Sequence, residues 1–189
     1  MGVDPLSSAA VFLDRDGVLN RALVGADGIP RPPKTVEQVE ILPRVPEALE
    51  RLRSLGFALV VVTNQPDIAR GSTTAKVVEA IHGRLRDALG LEDFRTCPHD
   101  DADACACRKP EPGLLLRAAS DRVLDLARSY MVGDRWRDIE AGHRAGCRTI
   151  LLDSGHRERL LSEPDHRAAS LWEAALWIEE REMAGGRAE

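Results

Sequence analysis

Residues 9–20 read AAVFLDRDGVLN, a stretch in which a continuous apolar run ends abruptly at Asp14 and Asp16. Such a run is typical of a buried parallel strand that ends at a reactive site. In open α/β sheets, ligands bind beyond the carboxyl ends of the strands, and Gly17 would let the backbone bend away there. A carboxylate in that position can attack, hold a cation or transfer protons. Two incidental acids in a solvated turn would give the same short pattern, so the rest of the chain must decide between a reactive site and a solvated turn.

Length and composition predict one domain with an aliphatic core. The chain has 189 residues, of which 43% are hydrophobic and only 4% aromatic, which is enough for one sizeable core. The net charge of -5 favours neither nucleic acid nor an anionic membrane as a partner. Residues 1–5 lack the basic start of a signal peptide, and no apolar run is long enough to span a bilayer. We expect a cytoplasmic protein, monomeric, with a small molecule as its partner.

Strand and helix patterns alternate along the rest of the chain. Apolar runs predict further strands at residues 57–62, 94–96, 129–132 and 147–152, and helical periodicity predicts helices at 46–55, 74–89, 114–122, 136–145 and 170–183. Alternation with right-handed crossovers gives one parallel sheet with helices on both faces. We expect a single three-layer α/β domain over 1–189, with its core at about 9–153. The Gly- and Pro-rich segment 21–44 is predicted to be a surface loop near the site, too short for a large cap domain.

Three strand ends bring polar side chains to one edge of this sheet. Asp14 and Asp16 follow the first strand, Thr63 and Asn64 the second, and Asp134 with Asp138 the fourth. Acids that converge in this way form a hard oxygen site, which suits Mg²⁺ completed by water and phosphate oxygens. The neighbouring Arg108 and Lys109 would supply the positive charge that an anionic ligand needs. Each strand end alone could be polar capping, but together they predict a site for a metal and a phosphate.

A group of cysteines and one histidine predicts a second metal site. The ligands are Cys97, His99, Cys105 and Cys107, in two pairs that each have one residue between them. Three thiolates and an imidazole make a closed tetrahedral set for structural Zn²⁺, with free surface thiols as the alternative. Closing the loop 97–107 on zinc would fix the adjacent Arg108 and Lys109 at the phosphate. The remaining residues of these types, expected to be structural or surface residues, are Cys147, His82, His143, His156 and His166.

These motifs are similar to those of the haloacid-dehalogenase-like phosphatases. Residues 12–20 resemble the first motif of that family, 62–65 the second, 108–110 the third and 132–138 the fourth. The resemblance covers residues 11–152 and implies a Rossmann-like sheet of the kind predicted above. Within the family, Arg15, the sequence TNQPDIARG at 63–71 and the cysteine loop resemble one branch. That branch contains the D-glycero-D-manno-heptose 1,7-bisphosphate phosphatases and the histidinol-phosphate phosphatases.

The resemblance implies a two-step phosphatase reaction. Asp14 would attack phosphorus to form an aspartyl-phosphate, and Asp16 would protonate the leaving alkoxide and then take a proton from water. Mg²⁺ would bind the Asp14 carboxylate, the Asp16 carbonyl and Asp134, with Asp138 orienting metal-bound water. Groups that would hold the transferring phosphoryl oxygens are Thr63, Asn64 and Lys109, and groups that would contact the substrate are Arg108 and Arg135.

The same resemblance favours removal of the 7-phosphate from D-glycero-D-manno-heptose 1,7-bisphosphate, with histidinol phosphate or another small sugar phosphate as alternative substrates. Segment 21–33 departs from the heptose enzymes, because it lacks the Gly-Tyr pair expected after the first motif, where substrate would be recognised. A dehalogenase is disfavoured because Asp16 is present, whereas a halide leaves without protonation. A zinc-stabilised binding module without turnover ranks last, since it would not need Asp14, Asp16, Lys109 and Asp134 together.

Overall fold

A six-stranded parallel sheet forms the centre of the structure, a computed structural model that describes residues 8–25, 28–155 and 158–185. The six strands of this sheet are β1 (Ala10–Leu13), β4 (Ala58–Asn64), β5 (Asp93–Cys97), β6 (Tyr130–Gly133), β7 (Arg148–Leu152) and β8 (His166–Ala168). Two further strands, β2 (Leu23–Val24) and β3 (Pro30–Arg31), pair only with each other. The sheet has the order β5-β4-β1-β6-β7-β8, and each neighbouring pair in it is parallel. Because β1 lies between β4 and β6, the groups that follow these three strands reach one edge of the sheet together.

Helices cover both faces of the sheet. They are α1 (Val45–Ser54), α2 (Ala75–Leu89), α3 (Gly113–Arg122), α4 (Trp136–Ala145) and α5 (Leu171–Gly185). Side chains of a strand alternate between faces, so Val11 and Leu13 pack with α1, α2 and α5, whereas Ala10 and Phe12 pack with α3 and α4. The predicted fold class, a Rossmann-like three-layer α/β domain with a parallel sheet, is confirmed.

Local signals explain where α2 begins and where α2 and α4 end. The hydroxyl of Thr74 accepts a hydrogen bond from the Val77 N–H at 3.2 Å and thereby caps the start of α2. The residue that follows α2 is Gly90, and the residue that follows α4 is Gly146. Both glycines have the left-handed backbone conformation that ends a helix and that glycine adopts most easily. These stops return the chain to the sheet at the positions where the next strands begin.

The structure contains several short elements that the sequence patterns did not predict. Strand β8 extends the sheet beyond β7, but it has only three residues, two of them polar, and therefore no apolar run to reveal it. Segment 21–44, predicted as a plain loop, contains the hairpin of β2 and β3 and a short 3₁₀-helix over Val36–Gln38. The hairpin strands have two residues each, which is too short for an alternating pattern to be recognised.

Two predictions concern residues outside the described part of the chain: residues 1–5, examined for a signal peptide, and His156. Within the described ranges, none of the helices has the length and apolar character needed to cross a membrane.

Candidate active site

Asp14 occupies the end of the interior strand β1. Its backbone N–H donates to the carbonyl of Val132 at 2.9 Å, and its carboxylate accepts a hydrogen bond from Lys109 Nζ at 2.7 Å. The residue is buried, with 8% of its surface exposed. Burial raises the pKa of Asp14 to about 6, although the Lys109 ammonium opposes that rise. The carboxylate is therefore fixed at the floor of the site, facing a cation.

Lys109 is held in place by three oxygen atoms. Its Nζ lies 2.7 Å from Asp14 Oδ1, 2.5 Å from Asp138 Oδ1 and 2.8 Å from the Val62 carbonyl. Burial on its own lowers the pKa of Lys109, but the charges of Asp138 and Asp14 outweigh burial and raise it above the usual value. Lys109 is therefore a permanently charged, fixed cation, and Asp138 is a direct partner of that cation.

Asp134 follows β6 and carries an unpartnered oxygen. Its Oδ1 is buried and has no hydrogen-bond partner among the described residues, and burial, helped by Asp14 and Asp138, raises its pKa to about 8. Gly17, at φ +95°, lies so close that an added Cβ would stand 2.2 Å from Asp134 Oδ2. One carboxylate oxygen from each of Asp14, Asp134 and Asp138 lies within 4.8 Å of the others. Three carboxylates this close together, with one oxygen that accepts no hydrogen bond from a described residue, fit a divalent cation such as Mg²⁺.

Asp16 is oriented by three side chains to which the sequence analysis gave no role. Arg15 donates to its carboxylate through Nη2 at 2.7 Å and Nε at 3.1 Å. Asn20 Nδ2 donates to Oδ1 and Gln65 Nε2 donates to Oδ2, each at 2.9 Å. Arg15 itself is completely buried. The signal that could have revealed it is an arginine between two acids directly after a buried strand, because charged residues this close to the core are nearly always paired.

Thr63 and Asn64 end β4 beside Asp14, and both side chains have partners within the protein. Thr63 Oγ1 accepts a hydrogen bond from Gln65 Nε2 at 2.9 Å. The Asn64 amide makes a pair of hydrogen bonds with the backbone of Lys109, donating to its carbonyl at 2.9 Å and accepting from its N–H at 3.1 Å. Asn64 therefore links the end of β4 to the segment that carries the lysine.

Arginine side chains surround the opening of the site. Arg108 and Arg137 both donate to the Asp101 carboxylate, at 2.8 and 2.7 Å, and Arg135 pairs with Glu158. These arginines line a cavity of about 530 Å³ whose floor includes Asp14, Asp16 and Lys109. Arg137, which the sequence analysis did not single out, lies in the first turn of α4 and lines the same cavity as Asp134. The cavity combines a cationic opening with an acidic floor, which suits a phosphorylated ligand and a metal ion.

The predicted zinc ligands converge. The sulfur atoms of Cys97, Cys105 and Cys107 lie 3.2 to 3.6 Å apart, and His99 Nδ1 lies 3.3 Å from Cys107 Sγ and 3.6 Å from Cys97 Sγ. A tetrahedral zinc with Zn–S bonds of ~2.3 Å needs sulfur atoms ~3.8 Å apart, so the spacing fits that ion. Cys147 lies outside this group, among the buried apolar residues of α3 and α4, where burial raises its pKa to about 12.

Loop 97–107, which carries the four predicted zinc ligands, is tied to the cavity by acid–arginine pairs. Arg70 makes two hydrogen bonds of 2.7 Å to the Asp100 carboxylate, and Asp101 holds Arg108 and Arg137 as described above. Asp100 and Asp101 both follow His99 directly in the loop. A metal that closes the four-residue cluster would therefore also order the arginines at the cavity opening.

Together, this fold and this site define a phosphatase with an aspartate at the end of an interior strand of a Rossmann-like sheet. Comparison with known proteins narrows that class. The family described as HAD-hydrolase-like matches residues 106–174. The D-glycero-beta-D-manno-heptose-1,7-bisphosphate 7-phosphatase of Pseudomonas aeruginosa is 37% identical over 164 residues, which cover 84% of this chain and 89% of the relative. The chain belongs to the HAD-like hydrolase family, which confirms the resemblance seen in its motifs.

Two further relatives cover nearly the whole chain. The D-glycero-D-manno-heptose-1,7-bisphosphate 7-phosphatase of Thermosynechococcus vestitus is 38% identical over 192 residues, which cover 89% of this chain and 94% of the relative. A crystal structure of the D,D-heptose 1,7-bisphosphate phosphatase from B. bronchiseptica, complexed with magnesium and phosphate, superposes with a TM-score of 0.79 at 30% identity. That superposition covers 92% of this chain and 99% of the crystallised one.

Proposed function

We propose that this phosphatase hydrolyses the 7-phosphate ester of D-glycero-D-manno-heptose 1,7-bisphosphate through an aspartyl-phosphate on Asp14. The observation that carries the chemistry is the Asp14 carboxylate between a fixed lysine, 2.7 Å away, and the unpartnered oxygen of Asp134. The substrate assignment is supported by relatives of that name at 37 and 38% identity over most of this chain. A phosphatase with this nucleophile splits one difficult hydrolysis into two easier transfers.

In the first step, an Asp14 oxygen bonds to phosphorus while the bond between phosphorus and the sugar oxygen breaks. Lys109 stands where negative charge gathers on the transferring phosphoryl group, and its position is fixed before the reaction by Asp138 and the Val62 carbonyl. A preorganised cation of this kind needs no rearrangement as charge redistributes in the transition state. The proposed catalytic role of Lys109 therefore depends on Asp138 as well.

Asp16 handles the protons. It gives a proton to the departing sugar oxygen, and the resulting carboxylate then takes one from the water that attacks the aspartyl-phosphate, which regenerates Asp14 and releases phosphate. The Asp16 carboxylate lines the same cavity as Asp14, which supports this pair of roles. Its contacts with Arg15, Asn20 and Gln65 keep it in one orientation for both transfers.

Two metal ions complete the proposal. Asp14, the Asp16 carbonyl and Asp134 would hold Mg²⁺, and Asp138 would orient metal-bound water in addition to pairing with Lys109. Bound Mg²⁺ offsets the repulsion between the nucleophilic carboxylate and the phosphate dianion. The four-residue group of Cys97, His99, Cys105 and Cys107 would hold a structural Zn²⁺. The unpartnered Asp134 oxygen supports the first ion, and the sulfur spacing supports the second.

The cavity walls favour a substrate with a second anionic group. We propose that Thr63 and Asn64 border the transferring phosphoryl group and that Arg108 and Arg135 contact the substrate farther out. A bisphosphate would place its distal phosphate near the arginines at the opening, where bidentate contacts are available. The cytoplasmic location, the monomeric state and the absence of nucleic-acid or membrane partners stay predictions from the sequence.

The test is phosphate release by purified, zinc-loaded protein with Mg²⁺, using both anomers of the heptose bisphosphate, histidinol phosphate and 4-nitrophenyl phosphate. Asp14→Asn serves as the blank. We expect rapid release from a heptose anomer, little from histidinol phosphate, and none in the blank. Turnover of 4-nitrophenyl phosphate without heptose turnover would keep the phosphatase chemistry and reject the substrate. No turnover of any ester would favour the binding-module alternative.

A further inference from the structure

We propose that His82 is a positioning residue for the proton transfers of Asp16, acting through the guanidinium of Arg15. His82 stands on the buried face of α2 with 2% of its surface exposed, and the chemistry proposed above gives it no role. This inference rests on the proposed function, in which Asp16 exchanges protons with the leaving group and with water. It adds a residue from α2, a helix that contributes no other residue to the proposed chemistry.

Arg15 joins the two residues. Its Nη1 lies 3.2 Å from His82 Nε2, and its Nη2 and Nε donate to the Asp16 carboxylate at 2.7 and 3.1 Å. A guanidinium is a rigid planar fork, so fixing one of its nitrogens fixes the direction of the others. The Arg15 side chain has no exposed surface, so water does not compete for these positions. The orientation of the Arg15 guanidinium, and with it that of the Asp16 carboxylate, therefore depends on the group that accepts from Arg15 Nη1.

His82 is suited to be that acceptor. Burial, reinforced by the charge of Arg15, lowers the pKa of His82 to about 4, while the carboxylates of Glu79 and Asp16 act in the opposite direction. The ring is therefore neutral near pH 7, and Nε2 can accept from the guanidinium if Nδ1 carries the proton and faces Glu79 Oε2, 3.6 Å away. Stacking on Phe94, with ring centroids 4.6 Å apart, fixes the plane of the imidazole.

Removal of the imidazole would act on Asp16 at a distance. An Arg15 nitrogen would be left buried without its acceptor, and the guanidinium would shift to regain a hydrogen bond. Arg15 makes the shortest hydrogen bond to Asp16, so the carboxylate would follow that shift. Proton transfer is sensitive to such misplacement, because donor and acceptor must meet within hydrogen-bond distance. Attack by Asp14 would be unaffected, since its partner is Lys109.

The test compares two esters that differ in their need for a proton. A sugar alkoxide must be protonated as it leaves, whereas 4-nitrophenolate leaves without much help. For His82→Leu with Mg²⁺, we expect kcat/KM for the heptose bisphosphate, which covers the steps up to departure of the sugar, to fall about tenfold, a part of the ~10²- to 10⁴-fold supplied by acid–base catalysis. kcat/KM for 4-nitrophenyl phosphate should stay within about twofold of wild type, because this quantity does not include the later hydrolysis of the aspartyl-phosphate, in which Asp16 acts on water for both esters. His82→Gln, which keeps an acceptor near the Nε2 position, should recover most of the sugar rate.

Two controls separate positioning from loss of structure. In an Asp16→Asn background, His82→Leu should produce no further loss of the residual sugar rate, because residues that act through one group are not additive. His143→Leu removes another helix imidazole, one bonded to Ser162 and Thr149, and should leave the ratio of sugar to aryl rates unchanged. Thermal melting of each variant reports its folding independently.

Equal losses of kcat/KM on the sugar and aryl esters would overturn the inference, as would an unchanged kcat/KM on the sugar ester in His82→Leu or a further loss in the Asp16→Asn background. The wild-type enzyme tests the proposed substrate separately. If it is inactive on the heptose bisphosphate but hydrolyses another alkyl phosphate, the substrate assignment fails. The ratio of that alkyl rate to the aryl rate then decides the role of His82 by the same criteria.

Discussion

The side chain of Asn64 and the backbone of Lys109 form a closed pair of hydrogen bonds, 2.9 and 3.1 Å long, between residues 45 positions apart in the chain. One bond uses the Lys109 carbonyl and the other its N–H, so the amide holds the peptide of the lysine on both sides. The lysine ammonium contacts Asp14 and Asp138 on the same site. The end of β4 therefore determines where the cation of the neighbouring segment stands.

Replacing Asn64 tests this link. Asn64→Ala removes both bonds, and we expect the free energy of unfolding to fall by about 1–3 kcal/mol, as for other partly buried hydrogen bonds. We also expect kcat to fall at least tenfold, because Lys109 would lose its fixed position. Urea unfolding and steady-state kinetics provide the two measurements. Gln38→Ala, an exposed amide outside the site, is the control, and a lower kcat with unchanged stability would favour direct phosphate contact by Asn64 instead.

The acids around the metal site should destabilise the metal-free protein. Asp134→Asn removes a charge that is buried beside Asp14 and Asp138, and we expect metal-free stability at pH 8 to rise by about 1 kcal/mol or more. The same change should abolish activity and the stabilisation by added Mg²⁺, since a ligand that binds only the folded state raises the melting temperature. Melting curves of the zinc-loaded protein, without Mg²⁺ and with excess Mg²⁺, check both outcomes. Asp87→Asn on the exposed side of α2 should change neither quantity.

Zinc removal should loosen the cavity opening as well as the loop. We expect Cys105→Ser to lose bound zinc and to lower the melting temperature by several degrees, because a structural zinc site contributes folding free energy directly. KM for the bisphosphate should rise more than kcat falls, since Asp101 holds Arg108 and Arg137 from within this loop. Metal analysis, melting and kinetics measure the three effects. Cys147→Ala, which changes a buried cysteine outside the group, should keep full zinc content.

The lowered pKa of His82 should make the stability of the protein fall as the pH is lowered. Its pKa of about 4 in the folded protein lies below that of an unfolded histidine, so the unfolded chain binds the extra proton first as pH falls. This contribution to stability is present above about pH 6.5 and is lost as pH falls toward 4, by up to about 2–3 kcal/mol. Titrating carboxylates affect the same range, so the measurement is the difference between wild type and His82→Gln. A flatter pH profile in the variant is expected, and parallel profiles would contradict this assignment.

Much of the fold could be predicted because its signals are local. Apolar runs located β1, β4, β6 and β7, and capped helical periodicity located the helices between them. The short strands β2, β3 and β8 gave no such signal, since two or three residues carry no recognisable period. The resemblance of four short motifs to the HAD-like family was confirmed by the relatives.

For the candidate site, too, some features could be predicted from the sequence and others could not. Asp14, Lys109, Asp134 and Asp138 were grouped from the sequence, and the structure brings them together, although their roles stay predictions. The contacts that orient them were not foreseen. Asp138 pairs with Lys109, and Arg15 reaches His82 across 67 positions of sequence.

The sequence by itself determined which residues stand at the ends of the strands, because burial of an apolar run and the turn after it are encoded within a few neighbouring residues. Only the tertiary structure decided which polar atom each of those residues faces. Such partners come from separate elements, as His82 comes from α2 and Asn64 from β4, and their distances follow from how helices pack on the sheet. No local period encodes that packing, since it depends on the shape of the whole core.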